Sequence, residues 1–162
     1  MAQTRKQRTP NEAPIPGARI LVVEARFYEP IADELLAGAL ARLSAAQVDV
    51  ETLQVPGALE IPVAAAIAVD AAVRAGKPFD GLVALGCVIR GETSHYDIVA
   101  GESARALMDL AVARRLPVGN GILTVDKERQ AKVRASRKGG DKGGAAASAA
   151  LALIRVARAR AK

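Results

Sequence analysis

The strongest constraint on the fold of this chain is the alternation of short strand-like runs with longer helical segments. Four runs have the length and patterning of strands, and each is followed by residues whose apolar positions recur at helical spacing. Strands that alternate with helices form parallel βαβ units with right-handed crossovers. The four runs are ARILVVEA, VDVETLQV, FDGLVALGCVI and PVGNGILTV. The second run alternates apolar and polar residues, which predicts a half-buried strand.

A four-stranded parallel sheet with helices on both faces predicts an α/β protein with a flavodoxin-like fold, a three-layer αβα sandwich. Aromatic residues make up only 2% of the chain, so Ala, Val, Ile and Leu must build its core. The segment RKGGDKGG, residues 137–144, is expected to break the chain before the last helix. Residues 1–17 contain three prolines and predict a flexible N-terminal arm, whereas residues 18–162 are expected to form one domain.

Composition limits the location and the partners of the chain. The net charge is +6, but the basic residues cluster mostly near the termini and lack interleaved aromatic residues, which argues against a nucleic-acid-binding module. No apolar run approaches the roughly 18 residues of a membrane span, and no apolar region of a secretory signal is found. The single cysteine, Cys87, cannot form an internal disulfide. We therefore predict a cytoplasmic protein that binds neither membranes nor nucleic acid.

The loops that follow the strands are the predicted location of the chemistry, because open α/β sheets bind ligands beyond the carboxyl ends of their strands. The segment RGETSH follows the third strand and begins a helix. Free backbone N–H groups and the helix dipole make such a junction an anion site. Its alternative role is that of a simple capped helix start, with Thr93 or Ser94 as the cap.

His95, the only histidine, lies in the first turn of that helix. An imidazole can accept and donate protons near neutral pH, so His95 is a candidate proton acceptor or shuttle. The alternative is an exposed or packed histidine without a catalytic role. One histidine, one cysteine and scattered acids do not form a zinc site, so no metal is predicted.

Three further residues each allow a binding role and a structural role. Phe27 could stack on a flat heterocycle, or it could cover the end of the sheet. Glu60 could accept hydrogen bonds from a polyol, or it could favour the dipole of its own helix. Arg134, with the basic segment behind it, could bind a phosphate or belong to a solvated basic surface.

Taken together, these segments resemble the 6,7-dimethyl-8-ribityllumazine synthase family, also called the riboflavin synthase beta-chain family. The matching segments occur in the family's order and cover nearly all the chain from about residue 18. The segment VIRGETSHYD, with VPGALEIP upstream, is the most specific part of the resemblance. The other matching segments are ARFYEPIADELLAGA, PVGNGILTVDKERQA and DKGGAAASAAL.

The resemblance implies a transferase that acts in the penultimate step of riboflavin biosynthesis. Such an enzyme condenses 5-amino-6-(D-ribitylamino)uracil with 3,4-dihydroxy-2-butanone 4-phosphate, and it releases phosphate and water as it forms 6,7-dimethyl-8-ribityllumazine. The resemblance implies no metal and no organic cofactor. It also implies a homopentamer, which in some members assembles further into an icosahedral 60-subunit shell, with active sites between neighbouring subunits. Riboflavin synthase is a candidate partner.

The resemblance assigns a pyrimidine and ribityl site to one set of residues. Phe27 matches the aromatic residue that stacks on the pyrimidine, and Glu60 matches the acid that bonds the ribityl hydroxyls. Asn120 stands where many members have an aromatic residue that packs across the subunit contact, and Tyr28 stands where many have Asn. The remaining matches to this site are Ala58, Leu59, Val88, Ile89 and Lys142.

A second set matches the phosphate site of the family. Gly91, Glu92 and Thr93 match the phosphate-binding turn, and Arg134 matches the phosphate-binding arginine of the adjacent subunit. His95 matches the residue proposed to transfer protons. Two other interpretations of the same fold are a non-catalytic flavin- or lumazine-binding relative and a purely structural shell protein. The presence of Thr93, His95 and Arg134 favours the enzyme.

Overall fold

The computed structural model describes residues 13–162, and within them it confirms the predicted alternation of strands and helices. Apolar strand runs are interrupted by polar loops, and each loop leads into a helix that packs against the sheet. The elements are β1 (Arg19–Ala25), α1 (Glu29–Ala45), β2 (Asp49–Val55), α2 (Glu60–Arg74), β3 (Gly81–Ile89), α3 (His95–Arg114), β4 (Val118–Val125), α4 (Glu128–Ala135) and α5 (Lys142–Arg160).

The sheet has four parallel strands in the order β2-β1-β3-β4, as the predicted flavodoxin-like α/β fold requires. Within the sheet, β2 lies beside one edge of β1, whereas β3 and β4 lie beyond its other edge. The strand order therefore reverses between β1 and β3, where such folds leave a crevice beyond the carboxyl ends of the strands. The loops after β1 and β3 border this crevice.

Two layers of helices cover the sheet. One apolar cluster joins β1 and β3 to α1, α4 and α5, and the other joins them to α2 and α3. The core consists of aliphatic residues, as the composition predicts, and residues such as Ile20, Leu35 and Leu82 are completely buried. The predicted three-layer αβα sandwich is therefore confirmed.

Glycines allow α5 to lie very close to α1 and β4. A Cβ atom added at Gly143 would overlap the backbone carbonyl of Leu35, and one added at Gly119 would overlap the carbonyl of Ala146. No side chain can move aside to relieve these contacts, because the atoms that would be struck belong to the backbone. Gly143 of α5 and Gly119 of β4 are therefore required for this close packing.

Three local predictions need correction. The break predicted at 137–144 is shorter, because α5 already begins at Lys142. Asp141 adopts the left-handed conformation (φ 42°), and its carboxylate accepts the Gly144 N–H at 3.2 Å, which caps the helix. The predicted half-burial of β2 is wrong for its first half, because β2 is an edge strand and Val50 is exposed. The helical spacing of SHYDIVAGESARALMDLAVARRL predicts one apolar side of α3 that includes Ile98, Val99, Leu107 and Met108, but of these four only Val99 and Leu107 are buried.

The predicted N-terminal arm falls mainly on residues 1–12, which lie outside the described residues. Within the described part, Ile15 is buried in the core and its N–H donates to the Ala46 carbonyl at 2.8 Å. The packed part of the chain thus begins before residue 18. Among residues 13–162, no helix combines the length and the apolar character needed to cross a membrane.

Candidate active site

Phe27 lies in the short loop between β1 and α1, at the carboxyl edge of the sheet. Its side chain is 72% exposed, so it does not cover the sheet end within this chain. The ring contacts Tyr28 edge to face, with the ring centroids 5.0 Å apart. Phe27 therefore presents an open aromatic face on which a flat ring could stack.

The turn after β2 brings a carboxylate to the same edge of the sheet. Ala58 is buried, Leu59 is partly exposed, and Glu60 is the first residue of α2. The Glu60 N–H donates to the Gly57 carbonyl at 3.2 Å, and a Cβ at Gly57 would lie 3.0 Å from Glu60 Oε2. The carboxylate thus folds back over the turn, where it can accept hydrogen bonds from hydroxyl groups.

The loop between β3 and α3 forms an open helix start, as the sequence predicts. Thr93 Oγ1 accepts the His95 N–H at 3.3 Å, so Thr93 rather than Ser94 provides the cap. Gly91 and Glu92 are exposed above the last residues of β3, Val88 and Ile89, which are buried and half-buried. The backbone N–H groups at the start of α3 are those that an anion would use.

His95 is the first residue of α3, and its side chain is exposed at this helix start. Within residues 13–162, its ring makes no hydrogen bond or ion pair. An exposed imidazole one turn from an anion-binding position is available to exchange protons with a bound molecule.

Arg90 holds this loop in place, and the sequence analysis did not single it out. Its guanidinium carbon lies 4.1 Å from the centroid of the Tyr96 ring, within the range of a cation–π contact. Its Nε donates to Asp126 at 3.2 Å, and its Nη1 lies 3.4 Å from Asp97. The side chain therefore links the end of β3 to the start of α3 and to the end of β4. No sequence pattern specifies such a three-way contact.

A second group missed by the sequence analysis lies beneath the Phe27 loop. Glu24 is 1% exposed and is hydrogen-bonded by Arg26 and Gln54. Arg26 also forms an ion pair with Asp33 of α1. The hydrogen bond to Asp33 raises the pKa of Arg26, with attraction to Glu24 as a further cause. An acid within the otherwise apolar run ILVVEA, two residues before an arginine, was the available signal.

Asn120, Arg134 and Lys142 line a separate groove of about 460 Å³ between β4, α4 and α5. The Asn120 Oδ1 accepts the Ile122 N–H at 2.9 Å, and the side-chain amide nitrogen of Asn120 takes no part in this hydrogen bond. Within the described residues, neither Arg134 nor Lys142 forms an ion pair. The groove therefore offers two cationic groups to an anionic ligand.

The groove and the strand-end loops do not form one pocket within a single chain. In the sheet, Asn120 pairs with Ala84, whereas Val88 pairs with Thr124. Four residues of strand separate these two levels, which corresponds to about 13 Å. The predicted site residues thus divide into two sets, one at the carboxyl edge of the sheet and one on the outer side of β4.

Other reactive groups are few. Among the described residues, no cluster of three or more His, Cys, Asp or Glu side chains is arranged to hold a metal ion. Cys87 is half-buried in β3, and burial raises the pKa of its thiol to about 11, with Glu128 adding to the effect. The thiol is therefore protonated near neutral pH and is a poor nucleophile.

The fold and these features define an α/β protein suited to small-molecule binding, with an exposed aromatic face, a carboxylate that can accept hydrogen bonds from hydroxyl groups and a helix start that can bind an anion. Sequence comparison agrees with this class. The family described as 6,7-dimethyl-8-ribityllumazine synthase matches residues 17–158. A 6,7-dimethyl-8-ribityllumazine synthase of Azorhizobium caulinodans is 59% identical over 158 residues, covering 98% of both chains. One from Methylobacterium sp. is 61% identical over 161 residues, covering 99% of this chain and 89% of that protein.

A third relative, 6,7-dimethyl-8-ribityllumazine synthase 1 of Rhodopseudomonas palustris, is 56% identical over all of this chain and 99% of its own length. The chain belongs to the 6,7-dimethyl-8-ribityllumazine synthase family, as the resemblance predicted. It is an enzyme of the transferase class.

Proposed function

We propose that this enzyme condenses 5-amino-6-(D-ribitylamino)uracil with 3,4-dihydroxy-2-butanone 4-phosphate to 6,7-dimethyl-8-ribityllumazine, with release of phosphate and water. The reaction is the penultimate step of riboflavin biosynthesis. The observation that carries the proposal is the loop after β3, where an anion-binding turn and the only histidine lie next to each other in a chain of this family.

The pyrimidine substrate is held by the loops after β1, β2 and β3. Phe27, with its ring exposed, stacks on the uracil, and Glu60 accepts hydrogen bonds from the ribityl hydroxyls. Backbone groups of the turn at 58–60 and the side chains of Val88 and Ile89 enclose the remaining edges of the ring. The amino group of the substrate is thereby directed towards the ketone.

The phosphorylated ketone is held by the turn at Gly91, Glu92 and Thr93. Condensation of the amine with the ketone needs protons to move between nitrogen and oxygen, and phosphate loss needs them at the leaving group. His95 exchanges those protons, because its imidazole lies at the helix start that binds the phosphate. Fixing the two substrates side by side supplies a further part of the acceleration.

The second set of residues completes the site from a neighbouring subunit. Asn120 lies four strand residues, about 13 Å, from the level of Val88, and it lines one groove with Arg134 and Lys142. We assign this groove to a neighbour's loops because the family resemblance places Arg134 in the adjacent subunit. In this arrangement Arg134 binds the phosphate, Lys142 lies near the pyrimidine and Asn120 forms one wall of its pocket. Ring-shaped assembly in which one surface meets a different surface of the next subunit gives every subunit one complete site.

Exposed apolar side chains on α2 and α3 support assembly. Val63, Ile67, Ile98, Met108 and Val112 are each more than half exposed in the single chain. Apolar surface of this kind on neighbouring helices is typical of subunit contacts. The proposed assembly is a homopentamer, alone or as part of a 60-subunit shell. Riboflavin synthase as partner and a cytoplasmic location stay predictions.

The proposal is tested by following lumazine absorbance after mixing the protein with the two substrates. The wild-type enzyme is expected to exceed the spontaneous reaction clearly, and His95→Ala to lower kcat by about 100-fold. Arg134→Ala is expected to raise the KM for the ketone phosphate. A folded, assembled wild-type protein with no acceleration over the background reaction would leave the non-catalytic relative as the better account.

A further inference from the structure

The carboxylate of Glu24 is a charge buried in the core beneath the Phe27 loop. It is 1% exposed, and each of its oxygens accepts one hydrogen bond: Oε2 from Arg26 Nη1 at 3.0 Å, and Oε1 from Gln54 Nε2 at 3.1 Å. A buried charge costs much free energy unless it is paired and hydrogen-bonded. Arg26 and Gln54 are therefore held firmly in place by the need to satisfy it.

Arg26 ties together the two elements that flank Phe27. One nitrogen of its guanidinium bonds Glu24 in β1, and the other forms an ion pair with Asp33 in the second turn of α1. Only residues 26–28 connect β1 to α1. The planar guanidinium, which can bond two carboxylates at once, thus fixes both ends of this loop.

Phe27 cannot be fixed by core packing, because its side chain is 72% exposed and its ring contacts only Tyr28 edge to face among the aromatic side chains described. Its position follows from the backbone of residues 26–28. If the Phe27 ring were free to move, the bound substrate would have to order it, and the conformational entropy lost in this ordering would weaken binding.

Gln54 extends the same network to the ribityl side of the site. It lies opposite Glu24 in the register of β1 and β2, one residue before β2 ends and the turn with Glu60 begins. Glu24 therefore joins the loop that carries Phe27 to the strand that leads into the ribityl-binding turn. The two groups that contact one substrate are linked through a single buried carboxylate.

We propose that Glu24 and Arg26 are positioning residues that hold Phe27 and the 57–60 turn at the separation required by the pyrimidine substrate. This inference rests on the proposed function. Neither residue contacts the reacting atoms, because Glu24 is enclosed in the core and Arg26 is engaged on both sides by carboxylates. Their effect acts on binding of the ribityl-bearing pyrimidine and not on the chemical step.

The test compares Arg26→Lys and Asp33→Asn with the wild-type enzyme in steady-state kinetics on both substrates. Lysine keeps the charge but cannot bridge Glu24 and Asp33 in the same fork geometry. Asp33 is exposed, so Asp33→Asn releases the α1 side of the network while Glu24 keeps its partners. Arg26→Lys is expected to raise the KM for the pyrimidine about tenfold, and Asp33→Asn about threefold, with kcat and the KM for the ketone phosphate changed less than about twofold.

Arg19→Lys is the matched control, because the Arg19 guanidinium also bonds two acceptors, Glu51 and the Lys77 carbonyl, but at the amino end of β1, opposite the candidate site. It is expected to leave all three constants unchanged. Binding of the lumazine product, measured by its fluorescence, gives a readout that needs no turnover and should weaken by the same factors in the two test variants.

The possible results separate the two claims. A wild-type protein that neither forms nor binds lumazine overturns the proposed function and this inference with it. If the wild-type protein does both, two results would overturn the positioning role alone. One is that the test variants bind the pyrimidine as tightly as the wild-type protein does. The other is that their kcat falls while the KM values of both substrates change in parallel. Sedimentation of each variant shows that the measurement is made on the assembled protein.

Discussion

The exposed ring of Phe27 illustrates how a single residue can matter for binding and little for folding. Most of the side chain is in solvent, and among residues 13–162 its one aromatic contact is with Tyr28. Phe27→Ala is expected to change the free energy of unfolding by less than about 0.5 kcal/mol, as is usual for exposed sites. It is expected to raise the KM for the pyrimidine about tenfold, because stacking on an aromatic ring contributes about 1–3 kcal/mol.

Urea unfolding and steady-state kinetics on the same preparation check both parts of this expectation. Phe27→Tyr is the control, since it keeps the ring and should keep the affinity. A large loss of stability in Phe27→Ala would mean that the ring supports the fold, and an unchanged KM would mean that the pyrimidine does not stack on it.

Cys87 gives a prediction about pH. Burial raises the pKa of its thiol from 9.0 to about 11 in the folded chain. Between these values the unfolded chain has lost the thiol proton while the folded chain keeps it, so the free energy of unfolding falls as pH rises through this window. Below pH 9 both states are protonated, and the contribution is constant.

Urea titrations at pH 8.5, 9.5 and 10.5 measure this effect as a difference between the wild-type protein and Cys87→Ala, which removes the titrating group. The wild-type stability should fall more steeply than that of the variant, by at most about 2 kcal/mol over the window. Parallel curves for the two proteins would contradict a buried, protonated thiol.

At the scale of elements, the contact of α5 with α1 is set by glycine. A Cβ at Gly143 would overlap the Leu35 backbone, whereas a Cβ at Gly101 of α3 would meet nothing within 4 Å. Gly143→Ala should therefore lower the free energy of unfolding by about 3 kcal/mol, as overpacking does. Gly101→Ala should raise it by up to about 1 kcal/mol, because alanine is the better helix former.

Denaturant midpoints of the two variants, measured side by side, check this contrast between identical substitutions. Equal effects would show that the crossing of α1 and α5 tolerates a methyl group. A destabilised Gly101→Ala would show that α3 has a close neighbour at this position.

The elements themselves could be predicted because hydrophobic periodicity is local in the sequence. The apolar run of β1 and the helical spacing of α1 each identify their element without reference to the rest of the chain. The start of α5 could not be predicted, because glycine usually ends helices and the close approach to the Leu35 backbone, which leaves room only for glycine at position 143, is a tertiary contact. The exposure of Val50 depends on β2 lying at the sheet edge, which its own sequence does not reveal.

As with the helices and strands, one part of the candidate site could be predicted from the sequence and another part could not. The loop of Thr93 and His95 follows a strand and begins a helix, so its position at the sheet edge could be expected from the fold class alone. The buried pairing of Glu24 with Gln54 could not, because these residues are thirty positions apart in sequence and meet only through the register of β1 and β2.

In the whole molecule, Arg134 belongs to a different surface from His95. It lines the groove beside β4 with Asn120 and Lys142, while His95 lies at the carboxyl edge of the sheet. The strand register places Asn120, at one end of this groove, about 13 Å from the level of Val88. We propose that one active site takes His95 from one subunit and Arg134 from the next.

Mixing subunits that lack one residue each tests this claim most directly. His95→Ala and Arg134→Ala proteins are dissociated, mixed in equal amounts and reassembled, with different tags to prove that mixed oligomers form. The assay uses a ketone phosphate concentration well below the KM of Arg134→Ala, so that each variant alone is slow. Random assembly into rings should restore lumazine synthesis at about a quarter of the sites, because those interfaces combine an intact His95 with an intact Arg134. Mixed oligomers with no more activity than the two separate variants would contradict a site shared between subunits.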